Sequence, residues 1–233
     1  MPLPGVDINK KVSETETFCY DESMKYKAAL FDMDGVLLDS EPIHFASFQS
    51  TLEHHNQSLS HSDYIKHFAG RTDEEGFKNY FDFINETVDI PLIMDKKTET
   101  YLELAKDQLV GYSGIVELVK ELSTHIPLAL VTGSLRAEAN VALEALGISE
   151  CFRVKICAED VTRGKPDPEG YLKALSMLNM DSSDCVAIED SPSGVSAVKS
   201  AGLDCIAVTN THYVDDLKDA TLVVEHLSIN YFK

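Results

Sequence analysis

Basic side chains are scarce in this chain: Lys and Arg total 20 against 39 Asp and Glu, a formal charge of −19. A field of that sign repels phosphate backbones and anionic membrane surfaces, so neither nucleic acid nor a lipid surface is an expected partner. Any phosphorylated small molecule would meet the same repulsion. An anion site here has to be assembled locally, from a cation, a lysine and backbone N–H groups. Cysteines are also few. Cys19, Cys151, Cys157, Cys185 and Cys205 are odd in number and scattered, contain no C-x-x-C spacing, and read as free thiols. Cys185 and Cys205 lie inside the apolar runs Cys-Val-Ala-Ile and Cys-Ile-Ala-Val, where a cysteine packs as a small hydrophobe. The first 24 residues hold no apolar stretch long enough for a signal peptide or a membrane span. Free thiols and no such segment give a reducing cytoplasm as the expected location. Internal repeats and low-complexity tracts are absent too.

What is present has a globular composition, 44% hydrophobic and 25% charged, and 233 residues suffice for one buried core with a small unit inserted into it. Residues 1–24 show neither helical nor strand periodicity and are expected to form a mobile arm without chemistry. The run Lys27–Met33 reads as a buried strand that breaks at Asp34-Gly35. From 40 to 112 the apolar spacing turns helical, through Phe45, Phe48 and Leu52, then Phe77, Tyr80 and Phe81, then Tyr101 and Leu104. Beyond Gly114 strands and helices alternate: apolar runs at 127–131, 152–157, 185–188, 205–208 and 222–224, with helical stretches between them. Alternation of this kind predicts an α/β fold, a doubly wound, Rossmann-like parallel sheet with helices on both faces. The core is then 25–39 together with 113–233, and 40–112 is an all-helical domain inserted after the first strand.

Four motifs fall at predicted strand ends. Asp32-Met33-Asp34-Gly35 offers two carboxylates one residue apart. One can attack phosphorus directly while the other protonates the leaving oxygen and later deprotonates water; the plainer use of Asp-Gly is a turn with capping aspartates. Thr132-Gly133-Ser134 supplies hydroxyls and free N–H groups before a helix, an anion site or an ordinary N-cap. Gly164-Lys165-Pro166 presents one lysine, a point charge for phosphate or a solvated surface group. Glu189-Asp190-Ser191-Pro192 places adjacent acids before a helix, suited to a hard cation such as magnesium or merely to the helix dipole. Together the four weigh more, because ligands of open α/β sheets bind at the C-terminal strand ends, and carboxylates converging there need a cation between them.

In these motifs, in their order and separation over about 26–225, the chain resembles the haloacid dehalogenase superfamily, and within it the phosphatases and β-phosphoglucomutase-like members with a helical cap. The resemblance implies Asp32 as nucleophile, Asp34 as acid/base and backbone metal ligand, and Glu189 and Asp190 as magnesium ligands. It also implies Thr132, Gly133, Ser134 and Lys165 on the phosphate. The expected activity is magnesium-dependent hydrolysis of a small phosphorylated metabolite, a sugar phosphate or a phosphoglycolate-like compound, by a monomer or weak homo-oligomer. A phosphosugar mutase is the alternative, and a non-catalytic phosphoacceptor module a more distant one. Ala69 and Asp73 stand where mutases of this type carry a lysine and an arginine, and Leu135-Arg136 where they carry lysine-asparagine. His44 and Arg71 are the candidates for substrate contact, Arg71 either as a clamp for a distal anion or as a surface group paired with Glu74 or Glu75.

Overall fold

The computed structural model describes residues 23–69 and 71–233. Most of the expected N-terminal arm, Cys19 and Gly70 lie outside the described residues. Six parallel strands make one sheet in the order β3-β2-β1-β4-β5-β6: β1 Ala28–Phe31, β2 Leu128–Val131, β3 Phe152–Ile156, β4 Cys185–Glu189, β5 Asp204–Val208 and β6 Leu222–Val224. The first strand is shorter than the apolar run suggests, because the chain leaves the sheet at Asp32. Strand order reverses beside β1, which makes the crevice at the carboxyl ends of β1 and β4 the switch point of the sheet.

Successive side chains of these strands enter two separate cores. Ala29, Phe31, Leu128, Leu130, Val186 and Ile188 pack on one face with helices α5 (Ile115–His125) and α6 (Arg136–Ala145). Ala28, Leu30, Ala129, Val131, Cys185 and Ala187 pack on the other with α7 (Glu169–Leu178) and α8 (Pro192–Ser200). Both faces are covered, which is why the strands read as continuous apolar runs. Cys157, Cys185, Cys205 and the half-buried Cys151 are free thiols, and burial pushes Cys185 up to about 11 and Cys205 up to about 12.

Between β1 and α5 the chain forms four helices: α1 Glu41–Glu53, α2 His61–His67, α3 Asp73–Phe83 and α4 Ile90–Gln108. Sequence chemistry starts each of the last three. Ser60 accepts the Asp63 N–H, Thr72 and Glu75 form a reciprocal capping box, and Asp89 accepts the Leu92 N–H. These helices hold their own aromatic-rich core of Phe48, Leu52, Tyr64, Phe68, Phe77, Tyr80, Phe81 and Ile93. Helices α1 and α4 also reach the sheet side, through Ile43, Tyr101 and Ala105, joined by Leu109 just past the end of α4. The two connections to this block run side by side: Leu38 bridges Gly111, and the Tyr112 N–H donates to the Leu37 carbonyl at 3.1 Å. Among the described residues, no helix is long and apolar enough to cross a membrane.

Candidate active site

Asp32 is the first residue past β1, and its N–H still donates to Ile188 O on β4 at 3.0 Å, so the sheet itself fixes where the carboxylate starts. Its side chain is buried, with Oδ1 2.8 Å from Lys165 Nζ. The same ammonium lies 2.6 Å from Oε1 of Glu189, the fully buried last residue of β4. Asp190 follows, also buried, and accepts from the Thr211 hydroxyl. Glycine is required at two positions around these acids. A Cβ on Gly35, which has φ +78°, would lie 2.0 Å from Asp190 Oδ2, and one on Gly194 would lie 1.9 Å from the Glu189 carboxylate.

Burial, with the charges of Glu189 and Asp190, pushes the Asp32 carboxyl well above the usual range against the pull of Lys165. Burial likewise raises Asp190 to about 6, although the Thr211 hydroxyl works the other way. Burial alone would lower Lys165, but Asp32 and Glu189 outweigh it and hold the ammonium charged. One lysine thus faces three buried carboxylates, whose oxygens can come within 4.8 Å of one another. An all-oxygen set with excess negative charge is the donor chemistry a hard divalent cation takes.

Asp34 is only half-buried and is held by two hydroxyls: Ser40 donates to Oδ1, and Ser134 donates to Oδ2 at 2.6 Å. The loop carrying it is tied from β5's far end, where Asn210 donates to the Gly35 carbonyl at 2.8 Å. Ser134 therefore stands beside Asp34, and its N–H donates to Thr132 Oγ1 at 3.0 Å. Thr132 is buried at the end of β2, and Gly133 is exposed beyond it. The sequence motifs after β1, β2 and β4 and the Lys165 loop thus converge on one crevice.

The two residues picked for substrate contact part company. Arg71 is exposed, donates to the Ala69 carbonyl at 3.4 Å, and, beside the capping Thr72 N–H, its charge helps to lower the Glu75 carboxyl. His44 lies inside, its ring 4.5 Å from that of Tyr101 and its Nδ1 3.0 Å from Lys97 Nζ. Burial and the neighbouring Lys97 charge lower it to about 3, so the ring is neutral. Lys97 was not among the sequence candidates. It is fully buried on α4, 2.8 Å from Asp73 on α3 and 3.5 Å from Glu138 on α6, and Glu138 in turn accepts the Leu135 N–H at 3.1 Å. One ammonium thereby joins the helical block to the helix that follows the Thr132-Gly133-Ser134 loop. Its signal lay in spacing: Ile93, Lys97, Tyr101 and Ala105 form one buried i, i+4 stripe. Arg136 is paired with Asp160, and its N–H donates to Glu159.

The family model for haloacid dehalogenase-like hydrolases matches residues 29–208. The chain belongs to this family. It is 34% identical over 206 residues to the validoxylamine A 7'-phosphate phosphatase of Streptomyces hygroscopicus subsp. limoneus, covering 87% of this chain and 95% of that one. It is also 34% identical over 188 residues to the phosphorylated carbohydrates phosphatase of Thermotoga maritima, covering 77% and 83%. Among solved structures, CbbY from Rhodobacter sphaeroides in complex with phosphate superposes with a TM-score of 0.74 at 26% identity, over 86% of this chain and 94% of that one. The haloacid dehalogenase-like fold accounts for the six-stranded parallel sheet.

Proposed function

We propose that this chain is a magnesium-dependent phosphatase that removes phosphate from a small phosphorylated metabolite, a sugar phosphate or a phosphoglycolate-like compound, through a phospho-aspartate on Asp32. The observation that carries this reading is the buried Asp32 carboxylate, 2.8 Å from Lys165 Nζ at the end of β1, with Glu189 and Asp190 within reach of one cation. Two phosphatases among its relatives support it. Asp32, Asp190, Glu189 and the Asp34 backbone carbonyl would hold magnesium, which when bound neutralises charge on the phosphate.

An Asp32 oxygen forms a bond to phosphorus as the bond to the leaving oxygen breaks, and Asp34 gives that oxygen a proton. Water then attacks the acyl phosphate, Asp34 takes its proton, and the Asp32 carboxylate is released with inorganic phosphate. Lys165, Thr132 and the Gly133 N–H hold the remaining phosphate oxygens. Ser40 and Ser134 aim Asp34. The four helices act as a lid over the crevice, which favours small substrates and a dry site. A mutase needs a second cationic cradle, and the arginines available for one are otherwise placed: Arg136 pairs with Asp160 and Arg71 lies at the surface. The setting for this activity is the reducing cytoplasm.

The test is phosphate release from a panel of sugar phosphates, phosphoglycolate and p-nitrophenyl phosphate, with magnesium and with EDTA. Magnesium-dependent release from at least one is expected. No release from any overturns the reading.

A further inference from the structure

Tyr171 belongs to the apolar layer between α7 and the sheet, alongside Ala174, Leu175 and Val131. Packing alone would be served by a phenylalanine there, so its hydroxyl calls for a separate reason. That hydroxyl donates to Glu189 Oε1 at 2.6 Å, and both residues have no solvent exposure. The same oxygen lies 2.6 Å from Lys165 Nζ, whose other carboxylate partner is Asp32 at 2.8 Å. The second Glu189 oxygen accepts the Asp190 N–H at 3.2 Å and the Ser191 hydroxyl at 3.3 Å. With α8 packed so closely that Gly194 admits no Cβ, the carboxylate cannot swing to find other partners.

Glu189 Oε1 is therefore shared between a neutral donor and a cationic one while the carboxylate itself has no solvent exposure. Inside a protein, an incompletely satisfied carboxylate oxygen draws the nearest cation strongly. We infer that Tyr171 is a positioning residue for Lys165: by occupying Oε1 it keeps Glu189 from drawing the ammonium wholly onto itself. Lys165 is then left stretched toward Asp32 and toward the phosphate that Asp32 receives. This rests on the phosphatase reading above, and it assigns a part in phosphate binding to a side chain that never meets the substrate.

The experiment compares Tyr171→Phe with Ala174→Gly, a change in the same buried layer that weakens α7 without touching Glu189. Calorimetric titration with inorganic phosphate in magnesium is the direct readout, with KM and kcat measured beside it. Loss of one charge-assisted hydrogen bond should weaken phosphate binding and raise KM in Tyr171→Phe by about tenfold, with a smaller change in kcat. Ala174→Gly should lower the melting temperature and leave phosphate affinity unchanged. Equal weakening in both variants or unchanged affinity in Tyr171→Phe would overturn the inference, and so would its failure to fold, which would give the hydroxyl a role in holding the fold and not in placing Lys165. A native chain that neither binds phosphate nor releases it from any substrate would instead bring down the phosphatase reading.

Discussion

The hydroxyl of Ser134 donates to Asp34 Oδ2 across 2.6 Å, joining residues 100 positions apart in the chain. Thr132, two residues earlier, accepts the Ser134 N–H, and an accepting hydroxyl keeps its own proton to donate. The two hydroxyls of this loop should therefore fail differently. Ser134→Ala should lower kcat by about tenfold, the worth of one hydrogen bond to a charged group, with KM little changed. Thr132→Val should chiefly raise KM. Steady-state kinetics on p-nitrophenyl phosphate reads both; a Ser134→Ala variant altered in KM alone would place its hydroxyl on the substrate instead.

Asp32 and Asp34 are assigned to different steps, and substitution separates them. Asp32→Asn loses the attacking oxygen, and no phosphoenzyme should form. Asp34→Asn keeps its backbone carbonyl and loses only proton transfer, a cost of roughly 10²–10⁴-fold in rate. With p-nitrophenyl phosphate, whose leaving group needs little protonation, attack should outrun hydrolysis and phosphate should accumulate on the protein. Intact-mass spectrometry is expected to find the phosphorylated species in Asp34→Asn and none in Asp32→Asn.

Metal binding should carry a pH signature from Asp190, whose carboxyl is raised to about 6 by burial. Between the ordinary carboxylate range and that value the folded state holds the proton more tightly than the unfolded chain does. The metal-free fold therefore loses stability as pH rises through this window, and carries the full penalty above it. A cation on the carboxylate relieves that penalty. The melting-temperature difference between magnesium and EDTA should be small near the lower edge of the window and should grow to a plateau above its upper edge. A difference independent of pH would mean that Asp190 does not meet the metal.

Lys97 should matter to stability more than its place in a polar run suggests. Lys97→Met leaves Asp73 and Glu138 facing each other without their shared cation, and breaking a buried ion pair from one side costs about 3–5 kcal/mol. Denaturant unfolding measures it. Because the lost contacts join the helical block to α6, hydrogen exchange should rise first in α4 and around Leu135. A loss under 1 kcal/mol, as for an exposed pair, would deny Lys97 this role.

The sheet was largely legible because both of its faces are covered, so each strand shows as an apolar run, and the polar residue ending the run marks the crevice. Asp32, Glu189 and Asp190 could be picked out for that reason, and Lys165 because its loop is short and rigid. The partners of these groups were not legible. Tyr171 reads as a core aromatic, and its hydroxyl finds Glu189 only after α7 is laid against β4. Lys96 and Lys97 are adjacent and alike in sequence, yet Lys97 is fully buried while the Lys96 side chain is 41% exposed. Helical phase, not composition, decides between them. Ser134 stands in a motif where hydroxyls before a helix serve anions or caps, and its pairing with Asp34 is invisible there because it is set by the meeting of the loops after β1 and β2.

The adjacency of Leu38 and Gly111 means that the segment between them leaves the sheet and returns to it at neighbouring points. A segment that leaves and returns at neighbouring points imposes no distance on its host, so the helices can lengthen, shorten or be exchanged while β1 and β2 keep their register. The segment is tied back at its root by one bridge and one hydrogen bond, from the Tyr112 N–H to the Leu37 carbonyl.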